Sequence, residues 1–93
     1  MLSLEIVTRH GRRVFEDDLT EIVFRRREER FEQGSEVAIF RGHAPMVMQN
    51  AGGAVRWKDQ KDIVHRYDVG PGLVEVLEDR VLLVTDAARP AEE

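Results

Sequence analysis

The chain contains no cysteine among its 93 residues. That excludes a disulfide framework and a thiolate metal site, so the fold must stand on packing alone. It also lacks a long apolar run. Nothing approaches the ~20 residues of a membrane helix, and the opening MLSLEIVTRHG is too polar for a secretory signal. A surface of one sign is missing as well. Fourteen Lys and Arg stand against eighteen Asp and Glu, a net charge of −4, which excludes the strongly basic field of a nucleic-acid binder. One soluble, cytoplasmic domain is expected, burying roughly 60–70% of its unfolded surface in a single core.

Catalytic constellations are absent too. His10, His43 and His65 are scattered and show no metal-ligand spacing. Ser3 falls in a strand, and Ser35 falls in a charged stretch without a nucleophile-elbow pattern. The pairs Asp17-Asp18 and Glu28-Glu29 are adjacent carboxylates, weak evidence for acid–base work. Gly70-Pro71-Gly72 has neither the helix nor the Lys-Ser/Thr of a phosphate loop, and reads as a tight turn before a strand. The chain therefore reads as a non-enzyme, with no metal and no cofactor.

What is present is a β pattern. Leu2, Leu4 and Ile6 alternate with Ser3 and Glu5, the period of a half-buried strand. Further segments follow at LTEIVF, EVAIF, MVMQ, GAVRWK and IVHRYDV, and GLVEVLEDRVLLVTD reads as a hairpin through Glu78-Asp79-Arg80. His65 is expected as a half-buried packing residue, and the run from Val81 to Val84 as a strand covered on both sides. Gly34, Gly42, Gly52-Gly53 and Gly70 to Gly72 punctuate these segments. The expectation is all-β, an antiparallel β-sandwich of about eight to ten short strands. RRREERFEQGSE, from Arg25 to Glu36, breaks the pattern and reads as a helical turn or a mobile, self-paired surface loop.

Three segments carry a resemblance to a known family. LEIVTRHGRRVF is an opening alternating strand that ends in Ile-Val-Thr and leads to a phenylalanine. AIFRGHAPMVMQNAGG holds a Gly-His-Ala-Pro turn, an apolar pair and glycines, and GPGLVEVLEDRVLLVTDAA closes on Asp-Ala-Ala. The chain resembles, over essentially its whole length, the N-terminal β-sandwich of the epsilon subunit of F-type ATP synthase, called delta in mitochondria. Ala38 and Arg41 stand where that family usually has glycine and proline, which loosens the turn.

The resemblance implies a rotor subunit of the central stalk, linking the gamma stalk to the membrane c-ring and so coupling proton or sodium transport to ATP synthesis. Its place would be the cytoplasmic side of the energy-coupling membrane, peripheral through the complex and without direct insertion. It implies a c-ring interface at Glu36, Arg41 and His43, a gamma interface at Thr8 and Met48, and a structural turn at Gly42 and Pro45. The domain would span residues 1–88, with 89–93 a polar tail. The family's helical hairpin does not follow, so neither hairpin inhibition nor ATP binding is expected. The alternative is a free-standing β-sandwich module that uses Arg25 to Arg30 for an acidic partner. His43 itself reads as a turn and interface residue, neither base nor ligand.

Overall fold

Leu2, Leu4, Ile6 and Thr8 are buried while Ser3, Glu5 and Val7 are half-exposed, so the alternation in the first strand is realised residue by residue. The computed structural model describes residues 1–91, with the side chains of 31–33 excluded. Ten strands make up the fold: β1 (Leu2–Thr8), β2 (Gly11–Leu19), β3 (Glu21–Glu28), β4 (Phe31–Ile39), β5 (Met46–Asn50), β6 (Gly53–Lys58), β7 (Val64–Val69), β8 (Gly72–Leu77), β9 (Arg80–Thr85) and β10 (Ala88–Pro90).

Hydrogen-bonded neighbours run β10-β7-β6-β3-β5-β8-β9-β1-β2, with β4 on the other edge of β3. The link between β3 and β5 is one pair, Arg26 with Asn50. At that joint the ladder folds over, leaving two layers of five strands. β1 runs parallel to β9 and antiparallel to β2.

Between the layers lies one apolar core. Ile22, Phe24, Ile39, Val55 and Trp57 from the first layer meet Leu2, Leu4, Ile6, Val74, Val76 and Leu83 from the second. Each such aliphatic or aromatic side chain contributes ~1.5–3 kcal/mol relative to exposure. The β8–β9 hairpin turns on Glu78 and Asp79, at φ 50° and 62°. Two successive left-handed residues make the two-residue turn whose twist matches the strands, a place usually given to Asn-Gly. Asp79 is held from both sides: its carbonyl accepts from Ser3 N–H at 2.9 Å and its Oδ1 accepts from Gly42 N–H at 2.7 Å.

The sandwich expectation holds, and four details are corrected. Arg25 to Glu36 is neither a loop nor a helical turn; it lies in the β3–β4 hairpin, where Arg25 faces Glu36 and Arg26 faces Ser35. Ser35 Oγ donates to Glu28 Oε1 at 2.7 Å, so polar cross-strand pairs continue the ladder beyond the apolar core. The run Val81 to Val84 is covered on one face only. Val81 and Leu83 are buried, but Val84 is 46% exposed, because no helix among the described residues lies over the outer surface. His65 is exposed, as β7 is an outer strand there and β10 pairs only with its residues 67–69. The expected tail is partly a strand: Arg89 and Pro90 pair with Asp68 and Tyr67. Residues 92–93 of that tail lie outside the described residues.

Candidate functional site

Strand direction assigns every turn to one of two ends. One end gathers the 40–45 segment and the turns at 20, 59–62 and 78–79; the other gathers those at 9–10, 29–30, 51–52, 70–71 and 86–87. Arg41 and His43 sit together at the first end. Gly42 between them has φ 83°, a conformation glycine adopts without penalty, and its N–H ties the turn to Asp79. His43 Nδ1 donates to the carbonyl of Ala44 at 2.7 Å, a contact confined to its own turn. Pro45 leads directly into β5.

Glu36 is not in that turn. It lies on the outer face of β4, and three extended residues, about 10 Å, separate it from Ile39 at the end of the strand. Arg56 of β6 forks onto its carboxylate, Nη1 to Oε2 at 2.7 Å and Nη2 to Oε1 at 3.0 Å. The hydrogen bond from Arg56 holds the Glu36 carboxyl below its ordinary range. The residues expected at a c-ring interface are thus divided between a sheet face and a loop end.

Thr8 and Met48 both point inward. Thr8 is 5% exposed; its hydroxyl donates to Gly11 O and accepts from His10 N–H, closing the β1–β2 turn. Met48 packs against the core beside Val74. Parity explains this: Thr8 continues the row Leu2, Leu4, Ile6, and Met48 lies between Met46 and Asn50. The outward-turned neighbours of Thr8 and Met48 are Val7, Val47 and Gln49.

These neighbours belong to an apolar face that the motifs did not single out. Register aligns Leu73, Val84 and Val7 in one row across β8, β9 and β1, and Val47, Glu75 and Leu82 in the next. Val47 is 69% exposed and Leu73 53%, and Leu77 and Phe15 are exposed as well. Exposed apolar side chains gathered on one sheet face are a candidate contact surface, here interrupted by Glu75 and Glu5. The signal was present in the unbroken apolar run Val81 to Val84, which exceeds what one buried face requires.

A second cluster lies at the tip of the β6–β7 hairpin. Asp59 Oδ1 accepts from the N–H groups of Lys61 and Ile63 at 2.8 and 3.1 Å, and its Oδ2 lies 2.9 Å from His65 Nε2. The His65 ring stacks on Trp57 at 5.8 Å between centroids. The bond to His65, then the two backbone bonds, hold the Asp59 carboxyl below its usual value. A depressed carboxyl contributes stability that is complete above its unfolded value and lost as pH falls through its folded one. Asp59→Asn is therefore expected to lower the melting temperature at neutral pH, with the gap to wild type closing as the pH drops below the carboxylate range. Thermal melts across that range check it; a gap that widens on acidification would contradict the assignment. Among the described residues no group of three or more His, Asp or Glu could hold a metal.

Comparison with known proteins agrees with this geometry. Residues 1–91 match the model of the family described as ATP synthase, Delta/Epsilon chain, beta-sandwich domain. An ATP synthase epsilon chain of Granulibacter bethesdensis is 33% identical over 58 residues, covering 62% of this chain and 43% of that protein. A chain in the cryo-EM structure of the Euglena gracilis mitochondrial ATP synthase, OSCP/F1/c-ring in rotational state 1, superposes with a TM-score of 0.81 at 20% identity, covering 96% of this chain and 52% of that one. One from the Tetrahymena thermophila mitochondrial ATP synthase central stalk/c-ring gives 0.72 at 11% identity, covering 96% and 66%. At such identities the two superpositions speak for the fold. The chain spans less than half of the Granulibacter protein and about half of the Euglena chain.

Proposed function

Since the chain belongs to the ATP synthase delta/epsilon β-sandwich family, we propose that it serves as a central-stalk element of an F-type ATP synthase rotor. It bridges the gamma stalk and the c-ring, couples proton or sodium transport to ATP synthesis, and has no active site of its own. The observation that carries this reading is the family match over residues 1–91. A two-layer sandwich suits the task, because torque must pass through a connector that does not yield. Its place is peripheral, held at the energy-coupling membrane on the cytoplasmic side through the complex. No helix among the described residues is long and apolar enough to cross a membrane.

In this reading Glu36, Arg41 and His43 meet the polar loops of the c-ring. The gamma stalk is met by the outward neighbours of Thr8 and Met48, namely Val7, Val47 and Gln49, with the apolar face behind them. Titration of the chain against the isolated gamma subunit by calorimetry tests the proposal, and a stoichiometric complex is expected. Val47→Asp puts a charge on the exposed apolar face and is expected to weaken that complex about tenfold, ~1.4 kcal/mol. Failure of the folded wild-type chain to bind gamma would sink the stalk reading.

His43→Ala is expected to leave stability within about 0.5 kcal/mol, since the ring bonds only to the carbonyl of the next residue. Its effect should fall on assembly with the c-ring, read by co-sedimentation with the isolated ring. An unfolded His43→Ala would make the histidine structural instead.

A further inference from the structure

The outer face of the first layer, opposite the apolar one, carries an unusual charge arrangement. Among the described residues at the paired positions of that face, five cations, Arg25, Arg56, Lys58, Arg66 and Arg89, share it with three carboxylates, Glu21, Glu36 and Asp68. That is a net +2 on a chain whose total is −4. Register sets Arg66 directly across from Arg56, and like charges directly opposed in a sheet are destabilising. The conflict is relieved on one side only, where Arg56 turns toward β4 and forks onto Glu36. Arg66 is exposed and makes no side-chain hydrogen bond or ion pair among the described residues. Lys58 lies diagonally beside it on β6, and Arg89 two rungs along on β10.

We infer that Arg66, flanked by Lys58 and Arg89, docks the carboxylates of an acidic segment on a partner protein. A guanidinium with both prongs free binds a carboxylate through two parallel hydrogen bonds, which a point charge cannot do. The interleaved Glu21 and Asp68 decide the class of partner. A uniform polyanion, such as a nucleic acid or an anionic membrane, would be repelled at those positions, whereas a protein can match a mixed pattern. The proposal does not depend on the stalk reading. It uses the face opposite the apolar one assigned to gamma, and its centre at Arg66 on β7 lies three strands from Glu36 on β4, the one stalk residue that shares this face.

The test is an amide NMR titration with an acetylated peptide of alternating Glu and Ser, set beside vesicles of phosphatidylglycerol in phosphatidylcholine. Saturable binding is expected, with shifts confined to β6, β7 and β10, weakened by added salt and about tenfold by Arg66→Glu. Arg66→Glu replaces the like-charge pair by an opposite one, so its melting temperature should rise and lost binding cannot be read as unfolding. Unchanged peptide binding by Arg66→Glu, or shifts on the other layer, overturns the proposal. Vesicle binding without peptide binding overturns it in favour of a membrane.

Discussion

Gly72→Ala is expected to cost about 3 kcal/mol or more, near the upper end of overpacking penalties. A Cβ at Gly72 would stand 1.9 Å from the carbonyl oxygen of Val84 and 3.0 Å from its carbon. The obstacle is the backbone of the partner strand, which cannot rotate aside like a side chain. Either β8 withdraws from β9, breaking the pairing of Gly72 with Thr85 and Leu73 with Val84, or the turn before it is rebuilt. That turn is a small polar knot. Thr85 Oγ1 donates to Gly70 O at 2.9 Å, and Asn50 Nδ2 donates to the same carbonyl at 3.1 Å. A domain of this size holds roughly 5–14 kcal/mol in total, and each kcal/mol moves its midpoint by about 4–8 °C. A drop of at least 12 °C is therefore expected by calorimetry. Leu73→Ala, an exposed neighbour, should stay within about 0.5 kcal/mol. Were Gly72→Ala to melt within a few degrees of wild type, the close approach of the two strands would be wrong.

Phe24→Ala is expected to be comparably severe, at about 3–5 kcal/mol. Phe24 is 1% exposed and is the largest fully buried side chain among the described residues. It stands on β3, the strand that pairs with β4, β5 and β6 and carries the joint between the layers. Truncation removes its transfer free energy and opens a cavity that three paired strands cannot collapse to fill. Chemical denaturation should show a lower midpoint at unchanged slope, because the surface exposed on unfolding hardly alters. Phe24→Leu keeps most of the volume and should lose far less. If the two variants behave alike, packing around Phe24 is looser than the structure has it.

The core strands were legible because burial imposes a period of two: Leu2, Leu4, Ile6 and the pair Val74, Val76 alternate with polar or exposed neighbours. The hairpin through Glu78 and Asp79 was legible from two apolar runs and a short charged gap. Arg25 to Glu36 was not. Its strands are held by Arg25 facing Glu36 and by Ser35 on Glu28, pairings across the hairpin that no single position reveals. The candidate site divides in the same way. Gly42 and His43 were readable as a turn because glycine admits the positive φ a turn needs and the following Ala-Pro restricts the backbone. The motif drew attention to Thr8 and Met48, yet parity alone turns them inward, since Thr8 follows Leu2, Leu4 and Ile6 on the same side. Of the outer apolar face the sequence carries only the unbroken run Val81 to Val84; the face itself, like the charged one, exists only once strands distant in sequence lie side by side.

The parallel pairing of β1 with β9 has a consequence for how this chain is made. Val7 finds its partner only when Val84 has been synthesised. At ~5–20 residues per second the first strand waits roughly 4–15 s with β2 as its only early neighbour. An isolated two-stranded hairpin is marginal at best in water. Leu2, Leu4 and Ile6 thus emerge ahead of every other described strand and are among the last to be covered. The interval in which this chain is most exposed to chaperones and proteases is written into its strand order.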